Sequence, residues 1–184
     1  MNNNTIDWKM LELPTENFTE EDIVIAESAG ALPIGKYLAE VVATKPVQKD
    51  FNAYSCYACN LKMEVVTPLE IDGEAIAKGE REDLQGRFIF DDIILPHDGE
   101  KKGFRNRRLL AAKRLGLIMS TSEQLQPSMW FEDIIGKRAI VTLERESWED
   151  QNGNQKSRVK VAFDGYDYAN GTAAKQNDDA FDDI

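Results

Sequence analysis

YSCYACNLKMEVVT, residues Tyr54–Thr67, is the stretch that decides the fold. Its odd positions from Tyr57 to Val65 are apolar, and its even positions from Asn60 to Glu64 are polar. Alternation with a period of two is typical of a strand that buries one face, because successive side chains point to opposite sides of a sheet. The stretch therefore predicts a half-buried β-strand.

Four further strands and one helix are indicated on either side of this stretch. A β-branched and aromatic run precedes it and ends before Pro46, a residue that favours the end of a strand. Asn152-Gly153 is a strong hairpin signal, and a run with basic residues opposite its apolar ones predicts a helix. The predicted strands are Lys36–Thr44, Tyr54–Thr67, Arg87–Leu95, Lys137–Ser147 and Ser157–Tyr166, with the helix at Phe104–Leu117. This order predicts a mainly β domain, a five-stranded OB-fold barrel with the helix between strands three and four.

Charge divides the 184 residues into three segments. The whole chain carries a net charge of −11, yet residues 36–167 hold 20 bases and 22 acids and are nearly neutral. The acids concentrate at the ends, and the segment from Asn170 onward holds too few hydrophobic residues to form an apolar core. We therefore predict an N-terminal extension at residues 1–34, an OB-fold domain at 35–168, and a linker with a disordered acidic tail at 169–184. The start of the chain has no basic region followed by an apolar stretch, so we expect no secretory signal and a cytoplasmic location.

Catalytic and metal motifs are few. Cys56 and Cys59 form a single C-x-x-C pair, whereas structural zinc takes four ligands. Residues three apart in a strand point to opposite faces, so we expect one core thiol and one surface thiol. His97 is the one histidine, and no nucleophile motif accompanies it. We expect no metal, no cofactor and no enzymatic activity.

Aromatic and basic residues recur in the two hairpin regions that form the mouth of an OB barrel. Single-strand binders combine a positive groove with rings on which bases stack. The predicted site comprises Lys45, Lys49, Phe51, Tyr54, Lys62, Arg87, Arg145, Trp148, Lys156, Arg158 and Lys160. Arg158 and Lys160 alternate with Val159, Val161 and Phe163, so we expect the bases outside and the apolar residues in the core.

Three aromatic residues have two interpretations each. Trp148 lies in a polar hairpin tip, where it either stacks on bases or folds back onto the barrel. Phe88 and Phe90 share one strand face, and they are either a stacking platform or, as we expect, core residues.

A basic segment runs from Lys101 to Ser122, with seven bases and no acid. It predicts a secondary basic patch formed by Lys101, Lys102, Arg105, Arg107 and Arg108. Two roles are open for this patch, since it could follow a second DNA path or dock the acidic tail of the same chain.

The C-terminal segment NDDAFDDI, at 177–184, places four aspartates around one aromatic and ends in a hydrophobic residue. With the frame PIGKYLAEVVA at 33–43, GRFIFDDIIL at 86–95 and RVKVAFDGY at 158–166, the chain resembles phage and bacterial single-stranded DNA-binding proteins of the OB fold. The resemblance implies a protein that protects single-stranded DNA and recruits replication and recombination proteins through its tail. It assigns partner binding to Asp178, Asp179, Phe181, Asp182, Asp183 and Ile184. Homo-oligomers are compatible with this class, membrane association is not expected, and a phage-encoded protein of this kind acts in the host cytoplasm.

The high net negative charge favours a second hypothesis. An acidic OB-fold protein with this composition could bind a host or phage protein without DNA. Affinity for an oligonucleotide separates the two hypotheses.

Overall fold

The structure, a computed structural model, describes residues 32–120 and 122–170. Strands dominate this part of the chain. The elements are β1 (Gly35–Phe51), β2 (Tyr54–Ile71), β3 (Glu74–Ala75), β4 (Phe88–Ile94), α1 (Lys102–Arg114), β5 (Arg138–Glu149) and β6 (Gln155–Tyr168). Two short 3-10 turns lie at Glu82–Leu84 and Pro127–Trp130. The prediction of a mainly β domain with one helix between its third and fourth long strands is confirmed.

All strands pair antiparallel within one sheet. Its order is β3–β2–β1–β5–β6, and β4 also pairs with β2. Of the long strands, β4 and β6 therefore lie at opposite edges of the sheet. Within the described residues no backbone ladder joins these two strands, so the closed five-stranded barrel is not confirmed.

The first hairpin is longer than predicted. Pro46 was expected to end the first strand, yet β1 continues through it to Phe51 and pairs with β2 along that length. Only Gly35–Glu40 of β1 also pair with β5, so the far half of β1 is an edge strand. Proline is tolerated there because its missing N–H faces the open side of the sheet.

The predicted alternation of β2 is confirmed over its central part. Cys59, Leu61, Met63 and Val65 are buried in the main core, which also contains Trp130. Nearer the hairpin tip the buried side of the strand changes, because Cys56 and Ala58 pack with Ile94 on the opposite face. The expectation of one surface thiol was therefore wrong, since both cysteines are buried. Burial raises the pKa of the Cys59 thiol to about 12.

Side chains form hydrogen bonds with the backbone groups at the free edge of β4. Arg107 Nη1 of α1 donates to the carbonyl oxygen of Asp92 at 3.3 Å, and Arg108 Nη1 donates to that of Ile94 at 2.8 Å. The Asp91 carboxylate accepts the backbone N–H of Asp92 at 3.0 Å. These groups replace the hydrogen bonds that a neighbouring strand would supply.

One carboxylate also bridges β4 to β6. Arg107 Nη2 donates to both oxygens of Asp91, at 2.9 and 2.8 Å, and the Tyr166 hydroxyl donates to Asp91 at 2.6 Å. The Arg107 and Asp91 side chains are only 13% and 11% exposed. Burial and the Asp91 charge hold the pKa of Tyr166 well above its usual value, so this hydroxyl stays a donor. Asp91, Arg107 and Tyr166, here called the seam triad, thus join the two edges of the sheet through side chains.

Helix α1 begins and ends earlier than the predicted Phe104–Leu117, at Lys102 and Arg114, and Gly116 follows its end. Gly116 has a φ of 73°, and the N–H groups of Leu117 and Gly116 donate to the carbonyls of Ala112 and Lys113. This pair of hydrogen bonds is a Schellman motif, which favours glycine at that position. Ala111 and Ala112 are fully buried against the sheet, so the arginines at 107 and 108 are held over the β4 edge.

The predicted boundaries change slightly at the N-terminal side. Leu32 was predicted to belong to an extension, yet it is buried in the core, and the Tyr37 hydroxyl donates to Pro33 O at 2.7 Å. Residues 1–31 of the predicted extension and residues 171–184 of the predicted linker and tail lie outside the described residues.

The seam triad generates the first prediction. Asp91→Asn should lower the free energy of unfolding by about 3 kcal/mol, because removing one partner of a buried ion pair leaves the other charge uncompensated. Tyr166→Phe should lower it by about 1 kcal/mol through loss of one hydrogen bond. Urea unfolding followed by circular dichroism measures both. Asp83→Asn, which breaks the exposed Arg81–Asp83 pair, is the matched control and should change the free energy of unfolding much less than Asp91→Asn does. Equal losses for Asp91→Asn and Asp83→Asn would contradict a structural role for the triad.

Candidate nucleic-acid interface

A cleft of about 410 Å³ lies between the edges of β4 and β6, beside the N-terminal half of α1. Aromatic, basic and acidic side chains share its wall. The residues that line it are Asn60, Phe90, Asp91, Asp92, Ile93, Ile94, Phe104, Arg107, Arg108, Arg158, Val159, Lys160, Val161 and Phe163. The seam triad joins β4 and β6 through side chains and without a backbone ladder. The cleft between these two strands is therefore part of the fold itself.

Phe88 and Phe90 form the exposed face of β4 next to this cleft. They were expected in the core, and that expectation was wrong, because Phe88 is 43% and Phe90 is 58% exposed. Ile89 and Ile93 occupy the core positions of the strand instead. Lys62 Nζ lies 3.8 Å from the centroid of the Phe88 ring, so the side chain of this predicted site residue contacts one of the two exposed rings. The alternative interpretation of the two rings as a stacking platform is the one compatible with their exposure.

The wall formed by β6 carries the predicted bases Arg158 and Lys160. Glu146 on β5 accepts Arg158 Nη2 at 2.7 Å and Lys160 Nζ at 2.8 Å. These hydrogen bonds, Lys160 first and Arg158 second, hold the pKa of Glu146 below its usual value. The Arg158 guanidinium also lies 5.6 Å from the Trp148 ring. Trp148 is 43% exposed, so its ring has not folded into the core.

Phe163 is a site residue that the sequence interpretation placed in the core. It is 53% exposed and lies against Gly103 at the start of α1. The register of β5 and β6 jumps from Val141–Tyr166 to Leu143–Val161, so several residues of β6 bulge opposite Thr142. Gly165 makes this bulge possible, because a Cβ there would lie 2.8 Å from the Thr142 carbonyl. Because of the bulge, Phe163 faces away from the core. A glycine within a predicted strand is the one sequence signal that could have indicated the bulge.

The tip of the first hairpin brings further predicted residues to the same region. The Phe51 ring lies 5.0 Å from Tyr54 and 6.0 Å from Phe104, which lines the cleft. Lys49 forms an ion pair with Asp92, another lining residue. Lys45 is opposite Asn60 in the β1–β2 register, and the Asn60 amide donates to Asp92. Lys45, Lys49, Phe51 and Tyr54 therefore gather along one margin of the cleft.

Three predicted residues have less direct relations to the cleft. Arg87 precedes β4 at the end away from the lining residues. Arg145 is opposite Val159, so it faces the other side of the ribbon from Arg158 and Lys160. Lys156 is opposite Trp148 near the tip of the second hairpin.

The secondary basic patch divides into two groups. Arg107 and Arg108 are held inside the protein, Arg107 by Asp91 and Arg108 by Glu100 at 2.7 and 2.8 Å. Both side chains stabilise the β4 edge, so they do not belong to an exposed basic patch. Lys101, Lys102 and Arg105 remain exposed.

Each of the four cations that line the cleft has a carboxylate partner. Arg107 pairs with Asp91, Arg108 with Glu100, and Arg158 and Lys160 with Glu146. The net charge of the cleft is therefore close to zero, and each of these cations is oriented by its carboxylate partner.

Within residues 32–120 and 122–170, no three His, Cys, Asp or Glu side chains converge as a metal site. None of the helices described there is long and apolar enough to cross a membrane. Neither a scan against protein-family models nor a search of curated proteins gives a match for this chain.

The Arg108–Glu100 pair generates the second prediction. Hydrogen bonds from Arg108 lower the pKa of Glu100 from its usual 4.5. A carboxyl with a lowered pKa contributes stability above its usual pKa, and this contribution is lost as the pH falls through the pKa of the folded state. Urea unfolding should show Glu100→Gln less stable than the unmodified protein at pH 7, with the difference shrinking below about pH 4.5. A difference that stays constant from pH 7 to pH 3 would contradict this role for the Glu100 charge.

Proposed function

We propose that the five long strands form an OB-fold barrel that binds single-stranded DNA without strong sequence preference. β1, β2, β4, β5 and β6 correspond to strands one to five of that fold, with α1 between the third and fourth. The order β4–β2–β1–β5–β6 is the order of an OB barrel, and contact between β4 and β6 across the seam triad supports closure.

The observation that carries the proposal is a set of exposed rings beside cations, in the cleft and next to it. Phe88 and Phe90 lie on β4, Phe163 lies across the cleft, and Trp148 lies next to Arg158. Monomeric proteins seldom leave so many large rings in water unless the surface binds something. Rings stack on any base, and cations between them contact phosphates, so the ligand that fits best is an unpaired nucleic-acid strand.

Recruitment of replication and recombination proteins through residues 177–184 is the second part of this proposal. Its support is the acidic and aromatic composition of the segment and the resemblance of the chain to tailed single-strand binders. A partner would recognise Phe181 and Ile184 with an apolar pocket rimmed by bases.

One observation favours a different class of function. The pairing of every cleft cation with a carboxylate, together with the net charge of −11, suits a module that binds a protein and no DNA. The rings argue for nucleic acid because cations lie among them, as a surface that stacks bases and contacts phosphates requires.

The third prediction tests the rings directly. Titration with oligo-dT at low salt should show binding, and affinity should fall steeply with added salt because phosphate contacts release counterions. Phe90→Ala combined with Phe163→Ala should weaken binding about tenfold or more, since each stacked base contributes about 1–3 kcal/mol. Trp148 fluorescence should be quenched on binding, and Trp148→Phe should remove that signal.

The matched control is Tyr57→Ala, which removes an exposed ring that does not line the cleft. It should leave affinity within about twofold. No binding of oligo-dT by the folded protein at low salt would reject the proposed function and favour the protein-binding module.

The fourth prediction concerns the tail. Removing residues 177–184 removes four carboxylates that repel phosphates or compete with them, so affinity for oligo-dT should rise at low salt. Replacing the four aspartates with asparagine at full length is the matched control, and it should reproduce the increase. Unchanged affinity in both variants would show that the tail charge does not influence DNA binding.

A further inference from the structure

The Glu146 carboxylate bridges the two cations of the β6 wall with one oxygen each. Its Oε2 accepts Arg158 Nε at 2.8 Å and Nη2 at 2.7 Å, and its Oε1 accepts Lys160 Nζ at 2.8 Å. The second acid near Lys160, Glu144, is more distant at 3.7 Å. A single carboxylate therefore orients both cations.

A phosphodiester offers the same recognition groups as this carboxylate. Each carries one negative charge and two terminal oxygens, and arginine binds both with parallel N–H donors. Arg158 and Lys160 also line the cleft between Phe90 and Phe163, with Trp148 beyond Arg158. A phosphate held there would lie between bases stacked on neighbouring rings.

We infer that Arg158 and Lys160 form one phosphodiester site that Glu146 occupies in the free protein. This inference rests on the proposed function and adds its mechanism: the strand binds by exchange, with one phosphate replacing the Glu146 carboxylate. The released carboxylate turns to water and takes up cations from the salt. The internal anion keeps the two cations oriented and lowers affinity for weak anions.

The proposed exchange predicts how the affinity for DNA depends on salt concentration. When a phosphate is neutralised by a free cation, the strand loses counterions and affinity gains a salt slope of about −0.7 per phosphate. With Glu146 present, the cations that the released carboxylate binds offset this loss. Removing the carboxylate should therefore make the slope steeper, by up to about 0.7.

Glu146→Gln is the test variant, because it removes the charge and keeps the shape of the side chain. Oligo-dT affinity at low salt should rise about three- to tenfold, as expected when two exposed ion pairs no longer compete. Glu149→Gln is the matched control: it makes the same charge change on the same hairpin, where Glu149 contacts only the Gln155 amide among the described hydrogen bonds. It should change affinity by less than about twofold. Circular dichroism melts verify folding, and Glu146→Ala provides a second variant that should move affinity in the same direction.

A third background decides whether Glu146 acts through these two cations. In a protein carrying Arg158→Gln and Lys160→Gln, adding Glu146→Gln should leave affinity unchanged. If the unmodified protein binds but Glu146→Gln has no larger effect than Glu149→Gln, or weakens binding, the exchange site is wrong while the proposed function stands. If no folded variant binds oligo-dT at low salt, both are wrong.

Discussion

The structure depends on one buried carboxylate, Asp91, which binds Arg107 from α1 and Tyr166 from β6. Backbone hydrogen bonds would join β4 and β6 most simply, but they would also draw the strands together and remove the cleft. A side-chain bridge holds the edges at a greater separation, and arginines of α1 supply the donors that the exposed carbonyls of β4 require. Charged groups in such a position are retained only where their hydrogen bonds are well satisfied, and each member of the seam triad meets that condition.

The same arrangement explains why the cleft is both aromatic and nearly neutral. Phe90 and Phe163 project from the two strands that the triad keeps apart, and their neighbours include the cations of the β6 wall. Every one of those cations is already paired, so the free protein does not present an unbalanced basic groove. Under the proposed function, this negatively charged protein binds a polyanion because the ligand exchanges with the internal carboxylates and its bases stack on the rings.

Much of the fold follows from local patterns, and most of the site does not. The alternation of β2 predicts its buried face, and Asn152-Gly153 predicts the hairpin between β5 and β6. In Phe88-Ile89-Phe90 both faces are apolar, so periodicity could not decide which residues are buried. Asp91 occupies a core-side position because Arg107 neutralises it and the Tyr166 hydroxyl donates to it, and a pairing between residues 75 positions apart has no local signal. Phe163 faces away from the core because of a bulge, for which the glycine at 165 is the one sequence signal. Glu146 belongs to the site because the pairing of β5 with β6 places it beside Arg158, and the sequence alone does not show the register of that pairing.

Hydrogen exchange measured with and without oligo-dT tests the central claim most directly, because it maps which backbone segments oligo-dT protects. The account predicts slower exchange in β4 from Phe88 to Ile94 and in β6 from Arg158 to Phe163, with little change in the 3-10 turn at Glu82–Leu84. Protection confined to surfaces away from the cleft, or none at saturating oligo-dT, would contradict it.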